Sequence, residues 1–445
     1  MSKSKKSPAF QSPKGMHDVL PQNQLWWDKV RKETKDTAES YNFLRIDTPI
    51  VESAALFQRS IGEATDVVEK QMFVFDTKGG DKLTLRPEGT AAIVRAYIQH
   101  GLSHLGQPLK LYYDGPMFRY EQPQAGRFRQ FNQVGFEIIG GEDDPIYDVQ
   151  VILPLFRLLE SLKIKKLTLH LNTIGCKVCR PNYRKKLQNY YKSKQKEICK
   201  DCQKRFAINP LRLLDCTNPI CVEIKKGAPG ILDDLCSYCQ RHFKNFLEYI
   251  EELALPYELD PHLVRGLDYY SRTVFEIFTE ADSLADPVSD KKQENNKDNR
   301  AFNFALASGG RYDYLFEMMG GRVTPAVGGA LGVERVIEVM KGLKVNLLPR
   351  AKAKVFLINI GDLAKKKSLL LLEEFLKAGI RVTESLGKNS LSAQLRAADK
   401  EGVLLALILG QKEAFKESII VRDMKSGAQE IVPLKKVVAE IKKRI

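Results

Sequence analysis

Two long stretches of strand character, at roughly 109–119 and 130–140, are joined by a polar loop containing Pro123 and Gly126. Such a loop is too short for the crossover that parallel strands require, so the pair is expected to be antiparallel and to found an antiparallel sheet. The flanking text fits an α+β fold. Residues 22–41 read as an amphipathic helix with Leu25, Trp26, Val30, Thr34 and Ala38 on one face. Phe43-Leu44-Arg45-Ile46 alternates like a short strand before Pro49. Val74-Phe75 and Leu83-Thr84-Leu85 flank Gly79-Gly80-Asp81, a hairpin signal, and residues 88–100 return to helical spacing. Strand text resumes at Tyr269–Phe278, 302–308 and 324–330, followed by a helix at 332–341. The polar stretch 281–300 carries almost no apolar residues and reads as a mobile insertion.

Two further blocks differ in texture. After Leu347-Leu348-Pro349 the chain alternates strand and helix at 354–359, 364–378, 380–384, 390–400, 403–409, 417–423 and 433–444, which predicts a small α/β domain. Residues 176–245 hold all eight cysteines. Charge separates the same blocks. The net +15 of the 445 residues divides into +10 on 176–245, +9 on 350–445 and −4 on the remainder. A basic chain favours polyanionic partners such as nucleic acid. No segment approaches the ~20 apolar residues that span a bilayer. The N-terminal Met-Ser-Lys-Ser-Lys-Lys-Ser has no apolar stretch behind it and is not a secretory signal, so the chain is expected in the cytosol.

Several clusters could carry chemistry. Phe118-Arg119-Tyr120-Glu121-Gln122-Pro123-Gln124-Ala125-Gly126-Arg127-Phe128-Arg129-Gln130-Phe131 interleaves arginines with aromatics. Arginine forks suit phosphate oxygens and aromatic faces suit purines, although solvated arginines at a hairpin tip fit equally well. Leu263-Val264-Arg265-Gly266-Leu267-Asp268-Tyr269-Tyr270 sets two charges in an apolar strand entry. They need a ligand or each other, and an internal Arg265–Asp268 pair is the plain alternative. Ala307–Asp313 and Gly328–Arg335 read as strand–glycine–helix passages where backbone can approach a ligand; neither matches a Walker A or dinucleotide fingerprint.

Among the cysteines, Cys176-x2-Cys179 and Cys199-x2-Cys202 lie at a separation that fits a four-cysteine zinc site; Cys216-x4-Cys221 and Cys236-x2-Cys239 follow. One or two zinc sites could be filled, with Cys176, Cys179, Cys199, Cys202, Cys236 and Cys239 as expected ligands and Cys216 and Cys221 the weaker pair. Reduced thiols in a small core are the rival reading, and disulfides do not suit the cytosol. His242, three residues beyond Cys239, is expected at the surface rather than on a metal.

Taken in order, Gly15-Met16-His17-Asp18-Val19-Leu20-Pro21, Arg86-Pro87-Glu88-Gly89-Thr90, the arginine hairpin, Leu263–Tyr270, Gly309–Asp313 and Gly328–Arg335 resemble the histidyl-tRNA synthetases, a family of class II aminoacyl-tRNA synthetases, from about residue 10 to the end. The resemblance implies a catalytic domain in two parts, 1–175 and 246–348, a basic cysteine-rich insertion at 176–245 and an anticodon-binding domain at 349–445. It implies histidine, ATP, Mg2+ and histidine tRNA as substrates and partners, and a homodimer formed through the first helix and the strand ending at Pro49. Arg119 and Arg265 match the catalytic arginines. Glu121, Arg127, Phe131 and Arg335, with Arg119, match ATP-binding positions. Glu88, Thr90 and Gln133 match contacts to the α-amino group, and Glu137, Tyr270 and Tyr312 match those around the imidazole, with Arg265 also on histidine. Gln124 and Arg129 match loop positions that face the acceptor stem, whereas Gln122 stands where the family often has arginine. In this reading the two basic blocks grip opposite ends of one tRNA. A silent paralogue regulating histidine biosynthesis usually lacks the C-terminal domain and degrades the arginine hairpin; here both are intact. A plain RNA-binding module would leave the arginine, glutamate and tyrosine constellation unexplained.

Overall fold

The computed structural model describes residues 10–63, 65–124, 126–280, 304–347, 352–385 and 389–445; the polar insertion at 281–300 lies outside them, as does the start of the strand read at 302–308. The chain divides into two compact units, Met1–Leu347 and Leu348–Ile445.

The first unit is built on an eight-stranded sheet. Its strands run in the order Leu44–Arg45, Leu109–Phe118, Gln130–Ile139, Ala326–Gly332, Ala307–Arg311, Ser271–Thr279, Leu167–Thr173 and Tyr257–Leu259. The hairpin forms the expected antiparallel pair, from Leu109 opposite Ile139 to Phe118 opposite Gln130. Only the two outermost pairings, Leu44 with Leu111 and Leu169 with Tyr257, are parallel. The helix Ile146–Ser161 packs Val151, Ile152, Leu155 and Leu159 into one core with Phe136, Phe275 and Val327 of the sheet. The helix Gln24–Ser40 adds Trp27, Val30, Thr34 and Ala38, a 3–4–4 spacing. Trp27 is thus the buried tryptophan, while Leu25 and Trp26 at the helix entry stay half-buried.

Both glycine pairs depart from the strand–glycine–helix reading: they lie inside paired central strands. A Cβ on Gly309 would fall 2.2 Å from the carbonyl oxygen of Gly328. Glycine here is a requirement of close backbone approach within the sheet, not a turn signal.

The cysteine block is helical, with helices at Arg180–Lys192, Lys200–Ile208, Pro219–Lys225 and Ser237–Glu252. Tyr183, Leu187 and Tyr191 form the buried stripe of the first. The second unit carries a five-stranded mixed sheet in the order Val382–Glu384, Val355–Asn359, Leu405–Leu409, Ser418–Asp423 and Gln429–Pro433. The last of these strands was not read from the sequence. Val355, Leu357, Leu405 and Leu407 pack under helices at Asp362–Lys377 and Leu434–Arg444.

Arg311 is the largest fully buried side chain among the described residues. Its Nε and Nη2 donate to Asp148 at 3.1 and 3.0 Å, and its Nη1 donates to Asp143 at 3.1 Å and to Asp313 at 3.3 Å. His242 borders this cluster, its Nε2 3.6 Å from Asp148, and is buried rather than superficial. Burial, followed by the positive charge of Arg311 and Arg272, pushes its pKa down to about 3, so the ring is neutral. Arg311→Ala would strand the buried Asp148 carboxylate without its cation, and should destabilise the first unit by about 3–5 kcal/mol. Urea unfolding measures this; an undiminished midpoint would contradict the structural role.

Candidate active site and cysteine clusters

Arg119 leaves the hairpin strand and donates through Nε to the carbonyl of Pro87 at 2.9 Å, which ties the arginine loop to the Arg86–Thr90 segment. Its guanidinium lies 5.5 Å from the ring centre of Phe131 on the returning strand. Glu121 sits between Arg119 and Arg127 at 3.9 and 4.0 Å, loose contacts that leave all three groups free to take a ligand. Arg335, in the first turn of the helix Val333–Gly342, donates to the carbonyls of Gly126 and Ala305 at 2.9 and 3.0 Å. These groups, with Gln133 and Arg265, line a cavity of about 200 Å³.

Arg265 does not pair with Asp268. It pairs with Glu276 and donates to the hydroxyl of Ser308 at 2.7 Å, while Asp268 accepts from Asn209 at 3.1 Å. Its Nε and the Oε1 of Gln133 are buried without a hydrogen-bond partner among the described residues. An unmet donor and an unmet acceptor in one cavity fit a zwitterionic ligand.

Beside this cavity lies a fully buried polar network. Glu88 precedes the helix Thr90–Gln99 and accepts the backbone N–H groups of Thr90 and Ala91 at 2.6 and 2.8 Å, an anion at a helix start. Glu137 accepts from the Thr90 hydroxyl at 2.8 Å and from the Tyr312 phenol at 2.7 Å. Tyr269 bridges toward Tyr270 and Tyr312, with ring centres 4.6 and 6.0 Å away, and Arg265 lies 5.9 Å over the Tyr270 ring. The six residues expected at the amino acid, Glu88, Thr90, Gln133, Glu137, Tyr270 and Tyr312, therefore come together next to Arg265. Gln124 and Arg129 stay on the loop. Gln124 exchanges backbone hydrogen bonds with Arg127, and Arg129 stacks on Tyr120 at 3.6 Å. Sequence reading missed Glu276 and Ser308, the two partners of Arg265. The first is the one acid in an apolar strand, a signal that was available; the second carries none.

Burial raises the Glu137 pKa from its ordinary 4.5 to about 8 against the opposing hydrogen bonds of Tyr312 and Thr90. Between those values the folded chain holds a proton that the unfolded chain has released. The stability from this group is complete below pH 4.5 and is lost as pH rises to 8. The urea midpoint of the unliganded protein should therefore fall from pH 4.5 to 8 relative to that of Glu137→Gln. Parallel pH profiles would mean that Glu137 is ionised throughout.

The cysteines form two groups, and their partition corrects the sequence reading. Cys176 and Cys179 join Cys236 and Cys239, while Cys199 and Cys202 join Cys216 and Cys221. The first two pairs in the chain do not meet in one site, and the weaker pair completes the second. Within each group all four Sγ atoms lie within 4.8 Å of one another. The separations Cys176–Cys179, Cys176–Cys236 and Cys199–Cys216 are 3.6, 3.9 and 3.8 Å, and all eight thiols are free of disulfides. A tetrahedral ion with metal–sulfur bonds of ~2.3 Å sets its sulfurs ~3.8 Å apart, so both groups have the dimensions of a metal site.

A sequence model described as Histidyl-tRNA synthetase matches residues 15–197 and 232–336, and one described as Anticodon binding domain matches 354–444. The histidine–tRNA ligase of Desulfitobacterium hafniense DCB-2 is 42% identical over 426 residues, 96% of each chain. That of Dehalococcoides mccartyi strain 195 is 43% identical over 98% of this chain and all of its own length. Among solved structures, the apo histidyl-tRNA synthetase of S. aureus superposes with a TM-score of 0.75 at 31% identity, covering 97% of this chain and 99% of its own. The chain belongs to the histidyl-tRNA synthetase family.

Proposed function

We propose that Arg119 and Arg265 form the charge clamp of amino-acid activation, one on each side of the reacting centre. The chain is an ATP-dependent, AMP-forming histidine–tRNA ligase: it converts histidine and ATP to histidyl-adenylate and pyrophosphate, then passes histidine to the 3′ end of histidine tRNA. The observation that carries the assignment of roles is the single cavity lined by both arginines beside the buried Glu88–Glu137–Tyr312 network.

The nucleophile is the histidine carboxylate, already ionised, so no general base is needed. It attacks the α-phosphorus, a P–O bond forms, and the bond to pyrophosphate breaks. Negative charge gathers on the α-phosphoryl oxygens in between. Fixed guanidinium groups suit that change because they are oriented before the reaction begins. Arg119 holds the α-phosphate and Arg265 bridges it to the incoming carboxylate. Adenine lies between Phe131 and Arg335, with Glu121 at its edge, and Arg127 takes the γ-phosphate. Glu276 offers a hard oxygen donor to Mg2+, which would supply further charge neutralisation on the phosphates. Glu88, Thr90 and Gln133 take the α-amino group, which the unmet Gln133 Oε1 supports. Glu137, Tyr270 and Tyr312 bond the imidazole nitrogens, a discrimination that a purely apolar pocket could not make.

The body at 1–175 and 246–348 carries catalysis, and 349–445 binds the anticodon arm. Gln124 and Arg129 face the acceptor stem, together with the insertion at 176–245. Lys185 and Lys192 are exposed on the helix face opposite Tyr183, Leu187 and Tyr191, which favours a phosphate-facing surface. The insertion holds zinc on its cysteines. A homodimer is supported by the exposed apolar residues Leu44, Ile50, Val51, Val74 and Phe75. Among the described residues no helix is long and apolar enough to cross a membrane, and cytoplasmic work suits eight free thiols.

Pyrophosphate exchange with each amino acid in turn tests the reaction; exchange with histidine alone is expected, and exchange with another amino acid would overturn the specificity. Arg265→Ala should lower the activation rate ~100-fold or more while ATP binding changes little. An unaltered rate would remove Arg265 from the clamp. Replacing Lys185 and Lys192 by Gln should weaken tRNA binding and reduce its salt slope by about one to two charges. An unchanged slope would exclude this helix from the interface.

A further inference from the structure

Three side chains of the cysteine-rich insertion reach out of it and hold the Leu263–Tyr270 passage. Arg212, buried in the 3-10 turn Pro210–Leu213, donates to the carbonyl of Gly266 at 2.6 Å and lies 3.9 Å from the Asp268 carboxylate. Asn209 donates to the same carboxylate. Arg180 donates to the carbonyl of Ile174 at 3.2 Å and to that of Tyr270. From the other side the passage is anchored by the backbone, Asp268 N–H donating to Ile61 at 3.0 Å. Arg265 and Tyr270, which reach the reacting centre and the imidazole in the reading above, thus sit on a loop that the insertion holds along one side.

Each of those three side chains is adjacent to a cysteine group. Arg180 directly follows Cys179. Asn209 and Arg212 lie between Cys202 and Cys216, on the turn that follows the helix Lys200–Ile208, which begins at Cys199. The two groups are nested in the chain: Cys199, Cys202, Cys216 and Cys221 all fall between Cys179 and Cys236. The outer group closes the insertion at its base, and the inner group closes the turn that carries Arg212. Backbone donors are already directed at the sulfurs. Val178 donates to Cys176 at 3.3 Å, Cys236 to Cys179 at 3.2 Å, Asn218 to Cys216 at 3.4 Å and Cys199 to Cys221 at 3.2 Å. Metal-bound sulfurs are commonly held by such backbone donors. The inner group lies wholly within 198–231, the stretch between the two segments matched by the family's sequence model.

We infer that each group binds one Zn2+ and that the inner ion is a splint for histidine recognition: it fixes the turn from which Arg212 and Asn209 hold Gly266 and Asp268. This deepens the zinc and synthetase readings above and rests on both. Arg212 is a positioning residue, since it acts through the backbone of the passage and not on the substrates. Loosening it should spoil placement of the amino acid before that of ATP, because Arg119, Phe131 and Arg335 sit on other elements.

The test uses the full-length protein. Purified under reduction, it should contain two zinc ions per chain, and cobalt exchange should give the absorption of two tetrahedral thiolate sites. Cys221→Ser should retain one. In pyrophosphate exchange, Arg212→Gln should keep both ions yet raise the KM for histidine ~10-fold or more, with the KM for ATP nearly unchanged. Arg212→Lys should recover part of the loss. Fewer than two ions in the wild type would overturn the metal assignment, whatever the kinetics. Two ions with an unmoved histidine KM in Arg212→Gln would overturn the splint and leave the zinc standing. Equal rises for histidine and ATP would also overturn it, as a general loosening of the sheet. If Cys221→Ser does not fold, Arg212→Gln with its metal count decides alone. A wild type that exchanges pyrophosphate with no amino acid would refute the synthetase reading instead.

Discussion

The burial of Glu137 in the middle of the large sheet is the constraint around which the first unit is arranged. A carboxylate at the centre of a sheet needs donors and needs volume, and neighbouring strands usually supply neither. Here Thr90 and Tyr312 supply the donors. The volume comes from the facing strand, where a Cβ on Gly328 would fall 1.5 Å from Glu137 Oε2. Gly135 makes comparable room for Tyr113 on the hairpin. The glycine-rich central strands are therefore a polar pocket cut into a β-sheet. Their weak strand propensity is offset by the continuous pairing on both sides and by the helix Ile146–Ser161 packed over them.

A second electrostatic problem is solved a few residues away. Arg311 sits next to Tyr312 in the chain, on the opposite face of the backbone, and draws together Asp143, Asp148 and Asp313. One residue thus faces the network with Glu137 and its neighbour faces a buried ion cluster. The rigidity of the second holds the first in register, because alternate residues at a strand end cannot rotate independently. That the cluster also touches His242, from the helix that carries Cys239, links the end of the insertion to the same point.

Much of this was legible from residues alone, for identifiable reasons. The hairpin could be read because alternation and loop length are local properties. The arginine, glutamate and tyrosine positions could be read through resemblance, and they do converge in space. The glycine pairs were misread because glycine in isolation signals a break; only the partner strand, distant in sequence, reveals that it signals close approach. The cysteine partition failed similarly. Spacing identifies a pair as a hook, but nesting of the hooks depends on how the intervening helices return, and Cys199 and Cys216 meet across a turn that no period predicts. His242 looked superficial because its partner Asp148 lies on another element.

The two kinds of site impose opposite demands on the passage Leu263–Tyr270. In the proposed role of Arg265, activation by positioned charge needs the guanidinium fixed to within fractions of an ångström, since no proton transfer or covalent intermediate can compensate for misplacement. A loop with glycine at 266 is poorly suited to that task by itself, because its backbone has the most freedom to lose. Packing cannot fully supply the rigidity, as Arg265 and Asp268 bring charge into the loop. Hydrogen bonds from a separately stapled module can. Arg212 satisfies the Gly266 carbonyl and faces the Asp268 carboxylate at once, so one guanidinium removes backbone freedom and answers a half-buried charge together. An insertion that served only to grip nucleic acid would have no need to bury its arginine there.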